Sequence, residues 1–426
     1  MTRIIPTELV APIFNPATFA ERGAVEAIFD KIRAEYPLAI AEVPGFDPHW
    51  IVSRHADVME VSKLNDVYAN AVRSATLIPI LGEELVKHFT GGDPNIFHSL
   101  VQMDGDEHRN HRALTAQFFT PKNIRTLEGK ARRIAQKYVD KMLASDGFID
   151  FSKEIATLYP LEMVMDLVGV PVEDHPKMLR LTQWLFSWGD PELARPGTDP
   201  TDPEQQVRTW KLVFEEFSEY YLELVRQRRE DPKDDIASMI ANGKIDGTAL
   251  TDWNAVSYFI ILSTAGHDSS AHTMATSMWM LAEQPHLLQE LQENPSKITA
   301  FVNESIRWAS PVKHFVRTAV VDTELAGQKI AKGDRLYLSY VSANRDEAEF
   351  SNPYEFRLDR TVNRQLSFGA GGHLCLGQHL ARLEMKCLWE ALLPKLSKVE
   401  MHGEGALIHS EFVSGPKSVP IRFWLK

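Results

Sequence analysis

The stretch Phe368–Arg382 constrains this chain more than any other. It reads Phe-Gly-Ala-Gly-Gly-His-Leu-Cys-Leu-Gly-Gln-His-Leu-Ala-Arg. Glycines at 369, 371 and 372 permit backbone conformations closed to other residues. Cys375 stands two residues before Gly377, and from Gln378 onward the sequence reads as a helix. A thiol on a tight loop ahead of a helix N-terminus has its thiolate form favoured by free backbone N–H groups and the helix dipole. The chemistry suits a sulfur that stays anionic while bound to a metal, with haem iron as the obvious candidate. A bare Cys-x-Gly is commonly a packed thiol beside a turn. The longer string Phe-x-x-Gly-x-His-x-Cys-x-Gly-x-x-Leu-Ala is far more restrictive.

With 426 residues, 44% hydrophobic and 24% charged, the chain can bury a large core. Its net charge of −12 argues against nucleic acid as a general partner. The only two cysteines, Cys375 and Cys387, make no disulfide framework and point to a reducing compartment. Cys387 falls mid-helix and is expected in the core. No apolar run reaches signal-peptide or membrane-span length, so a cytoplasmic protein without membrane contact is expected.

Helical spacing recurs over Ala24–Tyr36, Asp57–Leu64, Lys153–Leu167, Lys177–Ser187 and Thr209–Arg228. Thr120-Pro121 is a good helix start, followed by apolar Leu127, Ala131, Ile134, Tyr138 and Met142. Strand-like stretches are His49–Ser53, Val316–Leu325, Arg335–Tyr340 and Val419–Leu425. Residues 69–103, with several prolines and glycines, read as a mobile loop with a helical turn. The expectation is a mainly α fold with small β-sheets in one large domain, 1–426. Its β-rich parts lie near 40–70, 310–345 and 400–426, and its helical parts near 105–310 and 375–395.

One predicted helix is unusually long. Thr251 is a plausible N-cap and no proline follows until Pro285, so about 33 residues could span ~50 Å. It is apolar on most sides, as a helix through the centre of a large protein would be. Ala265-Gly266-His267-Asp268-Ser269 interrupts that character, and local distortion is expected where Gly and Ser meet. A carboxylate inside an apolar helix needs a partner or a purpose. Glu304 and Arg307, three apart, share a helix face and can pair.

These strings, in this order, resemble the haem-thiolate monooxygenases of the cytochrome P-450 family, from roughly Trp50 to the C-terminus. Among soluble bacterial members the chain resembles the camphor- and terpineol-oxidising type. The resemblance implies the P-450 fold, with the long helix crossing a haem b. It implies Cys375 as iron ligand, with Phe368, Gly369, Gly377, Ala265 and Gly266 around the cofactor. His108, Arg112, Arg317 and His373 match the family's propionate anchors. His108 and Arg112, four apart, lie on one helical face, and the arginine can bind a carboxylate bidentately. Asp268 and Ser269 match the family's acid–alcohol pair for proton delivery, with Ser in place of the usual Thr. Glu304 and Arg307 match a structural pair.

The family's substrate-lining segments place Leu77, Ile78, Ile80, Trp184, Phe186, Trp188, Leu262, Val312, Phe315, Phe412 and Val413 as pocket candidates. Arg73, Lys313 and His314 are the cations near them. The expected activity is insertion of oxygen from O2 into a C–H bond of a small hydrophobic substrate, a terpenoid or alkylaromatic. The chain has no flavin or nicotinamide fingerprint, so electrons would come from a separate ferredoxin and its reductase. An acidic ferredoxin would dock near the Cys loop, at Arg109, Arg112, Lys122 and Arg382. Alternatives are a haem peroxygenase and a non-catalytic haem protein that senses or carries a ligand.

Overall fold

Apolar residues at helical spacing recur through most of the chain, and the resulting helices share one core. In the computed structural model, which describes residues 3–426, that core joins Ala131, Ile134 and Met142 of the helix Glu128–Leu143 to Val213 and Phe217 of Pro203–Glu230. Leu388, Trp389 and Leu392 of the helix Gln378–Leu392 complete it, and Cys387 is buried among them. The whole is a single mainly helical domain with small sheets. Among the described residues, no helix is long and apolar enough to cross a membrane.

The expected single long helix is two. Thr251 caps the first, accepting from Asn254 N at 3.2 Å, and it runs Asp252–Ala265; the second runs Asp268–Glu283. The break falls at Gly266-His267 for a packing reason. A Cβ on Gly266 would lie 2.8 Å from Val164 Cγ2 and 2.9 Å from the Leu262 carbonyl oxygen. Glycine there lets the helix Leu158–Val168 approach closely while the backbone turns away from the ladder.

Residues 69–103 are more ordered than the loop expected of them, for they include the helix Ile80–Thr90. Pro79 stands at its N-cap and Gly91, left-handed at φ 75°, ends it, so the breakers mark boundaries rather than interruptions. Thr120 caps a helix as expected, but Pro121–Thr126 ends at Leu127 and a second helix restarts at Glu128.

A five-stranded sheet orders its strands Leu38–Ala41, His49–Val52, Arg335–Ser339, His314–Ala319, Tyr68–Ala69. Arg335–Ser339 runs parallel to His49–Val52 and antiparallel to His314–Ala319, placing Leu338 opposite Phe315 and Leu336 opposite Arg317. Register thereby fixes which face of the strand Arg317 occupies. The second sheet pairs Pro420–Leu425 with Leu396–Met401 and Phe148–Asp150. The strands at 38–41, 148–150 and 396–401 lack clean alternation, and pairing with distant partners makes them strands.

Candidate active site

The Cys375 loop is shaped by its glycines and pinned to the helix His55–Lys63. Cys375 N donates to the Phe368 carbonyl at 2.8 Å, closing the turn. Gly371 sits at φ 68°, and a side chain there would run into the Ser62 carbonyl oxygen. Gly371→Ala is therefore expected to destabilise the protein by roughly 1–3 kcal/mol, read as a lowered Tm. A variant as stable as the parent would contradict this geometry.

The thiol is not predisposed to ionise, contrary to the expectation from its place before a helix. Burial in apolar surroundings pushes its pKa above the ordinary value, and the Gly377 N–H, Arg112, Arg382 and the Gln378 N–H only partly offset this. A cationic partner such as a metal is what would hold it as thiolate.

Cys375 borders a central cavity of about 270 Å³. Ala265, Gly266, Leu262 and Ser269 of the split helix form one part of the wall, and Phe368, Gly369, His373 and Gly377 another. His108, Arg112 and Arg317 gather at one end. The His108 and His373 rings stack at 4.1 Å, and His373 Nε2 lies 2.8 Å from Asn70 Nδ2. Arg112 donates to the Leu374 carbonyl at 2.6 Å. Arg317 is buried and donates to the Val316 carbonyl at 3.1 Å. Arg317 Nε and His108 Nε2 have no hydrogen-bond partner among the described residues. Burial, with His373 and Arg112 nearby, pushes His108 down to about 4.

Buried polar groups without partners are costly, and Arg317 Nε and His108 Nε2 converge on one cavity end, where, among the anchor side chains, the Asp104 carboxylate reaches only His373, at 3.7 Å from its Nε2. A group carrying two carboxylates and a cationic metal that binds one thiolate fits this wall. Haem b has that chemistry, with His108, Arg112, Arg317 and His373 able to hold its carboxylates and Cys375 its iron.

The acid–alcohol pair divides. Ser269 is on the cavity wall, its Oγ 3.4 Å from the Ala265 carbonyl. Asp268, expected to face the same space, does not line it; its Oδ1 lies 2.9 Å from His267 Nε2. His267 is fully buried, its Nδ1 3.1 Å from the Ser263 carbonyl. Burial opposes charge on both groups, yet each holds the other ionised, Asp268 below its ordinary pKa and His267 above. The unexpected histidine supplies the partner that a buried carboxylate requires.

Of the pocket candidates, Leu262, Val312 and Phe315 line the cavity. Leu77, Ile78, Ile80, Trp184, Phe186, Trp188, Phe412 and Val413 do not. Phe412 stands behind Phe315 at 5.4 Å between centroids, and Val413 bridges to Val312. Leu77 and Ile78 pack in separate clusters. Wall residues not anticipated include Leu100, Val101, Val164, Leu167 and Ile261. Val164 and Leu167 share a face of the helix that Gly266 admits, a relation invisible without the packing.

None of the three candidate cations reaches the wall. Arg73 is held by Asp47 at 2.5 Å and Glu83 at 2.6 Å. Lys313 donates to the Ala309 carbonyl at 3.0 Å, and burial lowers His314 to about 3. Of the residues proposed for docking, Arg109 pairs with Asp106, Arg112 points inward and Arg382 lies over Phe368 at 4.5 Å. Lys122 is exposed.

Beneath the loop, Glu304 and Arg307 form a buried bidentate pair at 2.7 and 2.9 Å, not a solvated one. Glu304 also accepts from Arg360 Nε at 3.0 and 3.1 Å and from Arg357 N at 3.0 Å. Arg307 donates to the carbonyls of Asn344, Pro353 and Glu355.

A family model described as cytochrome P450 matches residues 85–419. The chain is 42% identical to "Cytochrome P450-terp" of a Pseudomonas species, covering 98% of each sequence. It is 30% identical to the "Methyl-branched lipid omega-hydroxylase" of Mycobacterium tuberculosis, covering 93% of this chain and 90% of the relative. It is 26% identical to the "Linalool 8-monooxygenase" of Pseudomonas putida, covering 96% and 97%. Its fold superposes on the crystal structure of CYP108D1 from Novosphingobium aromaticivorans with a TM-score of 0.92, at 40% identity, covering 99% and 100% of the two chains.

Proposed function

The chain belongs to the cytochrome P450 family of monooxygenases, and on that footing we propose that it hydroxylates a small hydrophobic substrate, a terpenoid or an alkylaromatic hydrocarbon. The family's cofactor is haem b. Bound against Cys375, with His108, Arg112, Arg317 and His373 on its carboxylates, haem supplies the O2 and one-electron chemistry that side chains lack. The chain's own residues do the rest. Leu262, Val312 and Phe315 exclude water and orient an apolar substrate beside Ser269. The Ser269 hydroxyl, at the break in the central helix, is placed to pass a proton into the cavity.

The observation that carries the substrate class is the distribution of charge. The lining arginines, Arg112 and Arg317, stand toward His373, with Arg317 5.7 Å from the Phe315 ring, and the part of the wall made by Leu262, Val164 and Leu167 offers a carboxylate no partner. Names of two relatives, P450-terp and linalool 8-monooxygenase, point the same way. Electrons reach the site from a separate acidic ferredoxin and its reductase, in the cytoplasm, with Lys122 an exposed cation for docking.

Adding monoterpene alcohols and alkylbenzenes to the ferric protein should shift its spin state, whereas fatty acids should not. Fatty acids that shift the spectrum while hydrocarbons leave it unchanged would overturn this substrate class.

A further inference from the structure

Which nitrogen of the His373 ring carries the proton decides what that ring can hold. A carboxylate needs a ring N–H, and the position of that proton is set by what the other nitrogen meets. The other nitrogen meets Asn70. The edge strand Tyr68–Ala69 pairs with Ala319 and Thr318, so the next residue along, Asn70, comes level with Arg317. Asn70 is 2% exposed and lines the cavity together with His373 and Arg317. Its Nδ2 lies 2.8 Å from His373 Nε2 and 3.1 Å from Asp104 Oδ1.

Those two contacts fix the amide. The Asp104 carboxyl already accepts from the backbone N–H groups of Asn70 and Ala71, at 2.8 and 2.7 Å, and an acceptor facing it would be repelled. The Asn70 group beside it is therefore the NH2 and not the carbonyl oxygen. An amide nitrogen only donates, so His373 Nε2 accepts from it and the ring proton sits on Nδ1. A ring with an Nε2–H would set one donor against another. Asp104 could not take that N–H, for its Oδ1 lies 3.7 Å from Nε2, beyond hydrogen-bond distance. The His108 ring, stacked at 4.1 Å, confines the plane of the same imidazole.

We propose that Asn70 is a positioning residue for the cofactor: held by Asp104, it keeps the His373 proton on Nδ1 and so makes that nitrogen the donor to a haem carboxylate. Asp104 stands at the N-cap position of the helix Gly105–Ala116, which carries His108 and Arg112. One carboxylate thus ties the helix bearing two anchors to the residue that orients a third. His373 then contributes a directed hydrogen bond, while Arg112 and Arg317 contribute charge. The proposal rests on the haem reading above.

The test uses the intact haem protein in its diamagnetic ferrous carbonyl form, with isotopically labelled histidine. The His373 signals are assigned by their loss in His373→Gln. Ring nitrogen shifts should show Nδ1 protonated and Nε2 bare in the parent. In Asn70→Asp an acceptor replaces the donor, and Nε2 should gain a proton. Asn70→Asp and Asn70→Leu should both release haem to apomyoglobin about tenfold faster than the parent, the lower end for losing a hydrogen bond to a charged group. The loop itself should persist in both, because Asp104 keeps its two backbone N–H donors. A merely structural role would lower stability and leave the tautomer as it is. Nε2 protonated in the parent, or ring shifts that Asn70→Asp leaves unchanged, overturns the assignment. Haem release within about twofold of the parent in both variants overturns the role in holding the cofactor. If the reduced carbon monoxide spectrum of the parent lacks a thiolate signature, the haem reading itself has failed; a normal spectrum with the proton on Nε2 rejects this inference alone.

Discussion

Cys375→Ser is expected to remove the thiolate signature of the haem protein and to cut turnover at least about a thousandfold, the scale seen when a group on which the chemistry depends is lost. The loop should persist, because its closing bond runs from the backbone of residue 375 to the Phe368 carbonyl and needs no side chain. The thiol is held in apolar surroundings that disfavour charge. Only a strongly bound cation would offset that, so sulfur and metal depend on each other. A serine hydroxyl gives up no proton there, and without a partner it costs about 1–3 kcal/mol of stability. Cys387→Ser is the control. Cys387 is buried in the helical core, so the variant should lose stability yet keep its spectrum and activity. Haem content, the reduced carbon monoxide spectrum and product yield check both variants. A Cys375→Ser protein with the parent spectrum would displace the sulfur from its assigned role.

Glu304→Ala is expected to destabilise the fold by about 3–5 kcal/mol, the scale for breaking a buried ion pair by removing one partner. The reason is local. Arg307 and Arg360 both depend on this carboxylate, and both would be left facing each other across an empty site. Arg307 keeps three carbonyl partners but no counter-charge. Burial opposes ionisation of Glu304, and Arg307 with Arg360 and the Arg357 N–H holds its pKa below the ordinary value all the same. A carboxyl with a depressed folded-state pKa contributes stability that is present above its unfolded pKa and is lost as pH falls through the folded one. The parent should therefore lose stability on acidification through and below the ordinary carboxylate range, and Glu304→Ala should lose less over that window. Urea unfolding at several pH values measures both effects. A variant within about 1 kcal/mol of the parent would mean that the pair contributes as a solvated one would.

Much of this was legible in the chain. The Cys375 loop and the Glu304–Arg307 spacing depend on local rules, and each is visible as a short string; distortion near Gly266 is visible too, but the full break there is set by packing against Val164. Leu262, Val312 and Phe315 lie next to such strings and reach the wall. What escaped depends on tertiary packing. Leu77, Ile78, Trp184 and Trp188 look like pocket residues by composition, but a buried aromatic or aliphatic side chain carries no mark of which side of a helix meets a cavity. The carboxyl at position 268 is expected to face the cavity only by resemblance to the family's acid–alcohol pair, and its contact with His267 lies off the wall. Glu384, mid-helix and of an ionisable type, would pass for a solvated residue, yet packing buries it on the cavity wall. The helix Ile80–Thr90 was hidden by its own caps, since proline and glycine at its ends have the same letters as a loop.

The absorption spectrum of the reduced protein with carbon monoxide tests the central claim most directly. A thiolate at Cys375 predicts a strongly red-shifted Soret band, present in the parent and absent in Cys375→Ser. A band at the position of histidine-ligated haem in freshly prepared parent protein, or no haem at all, would contradict the assignment of Cys375 as the iron ligand.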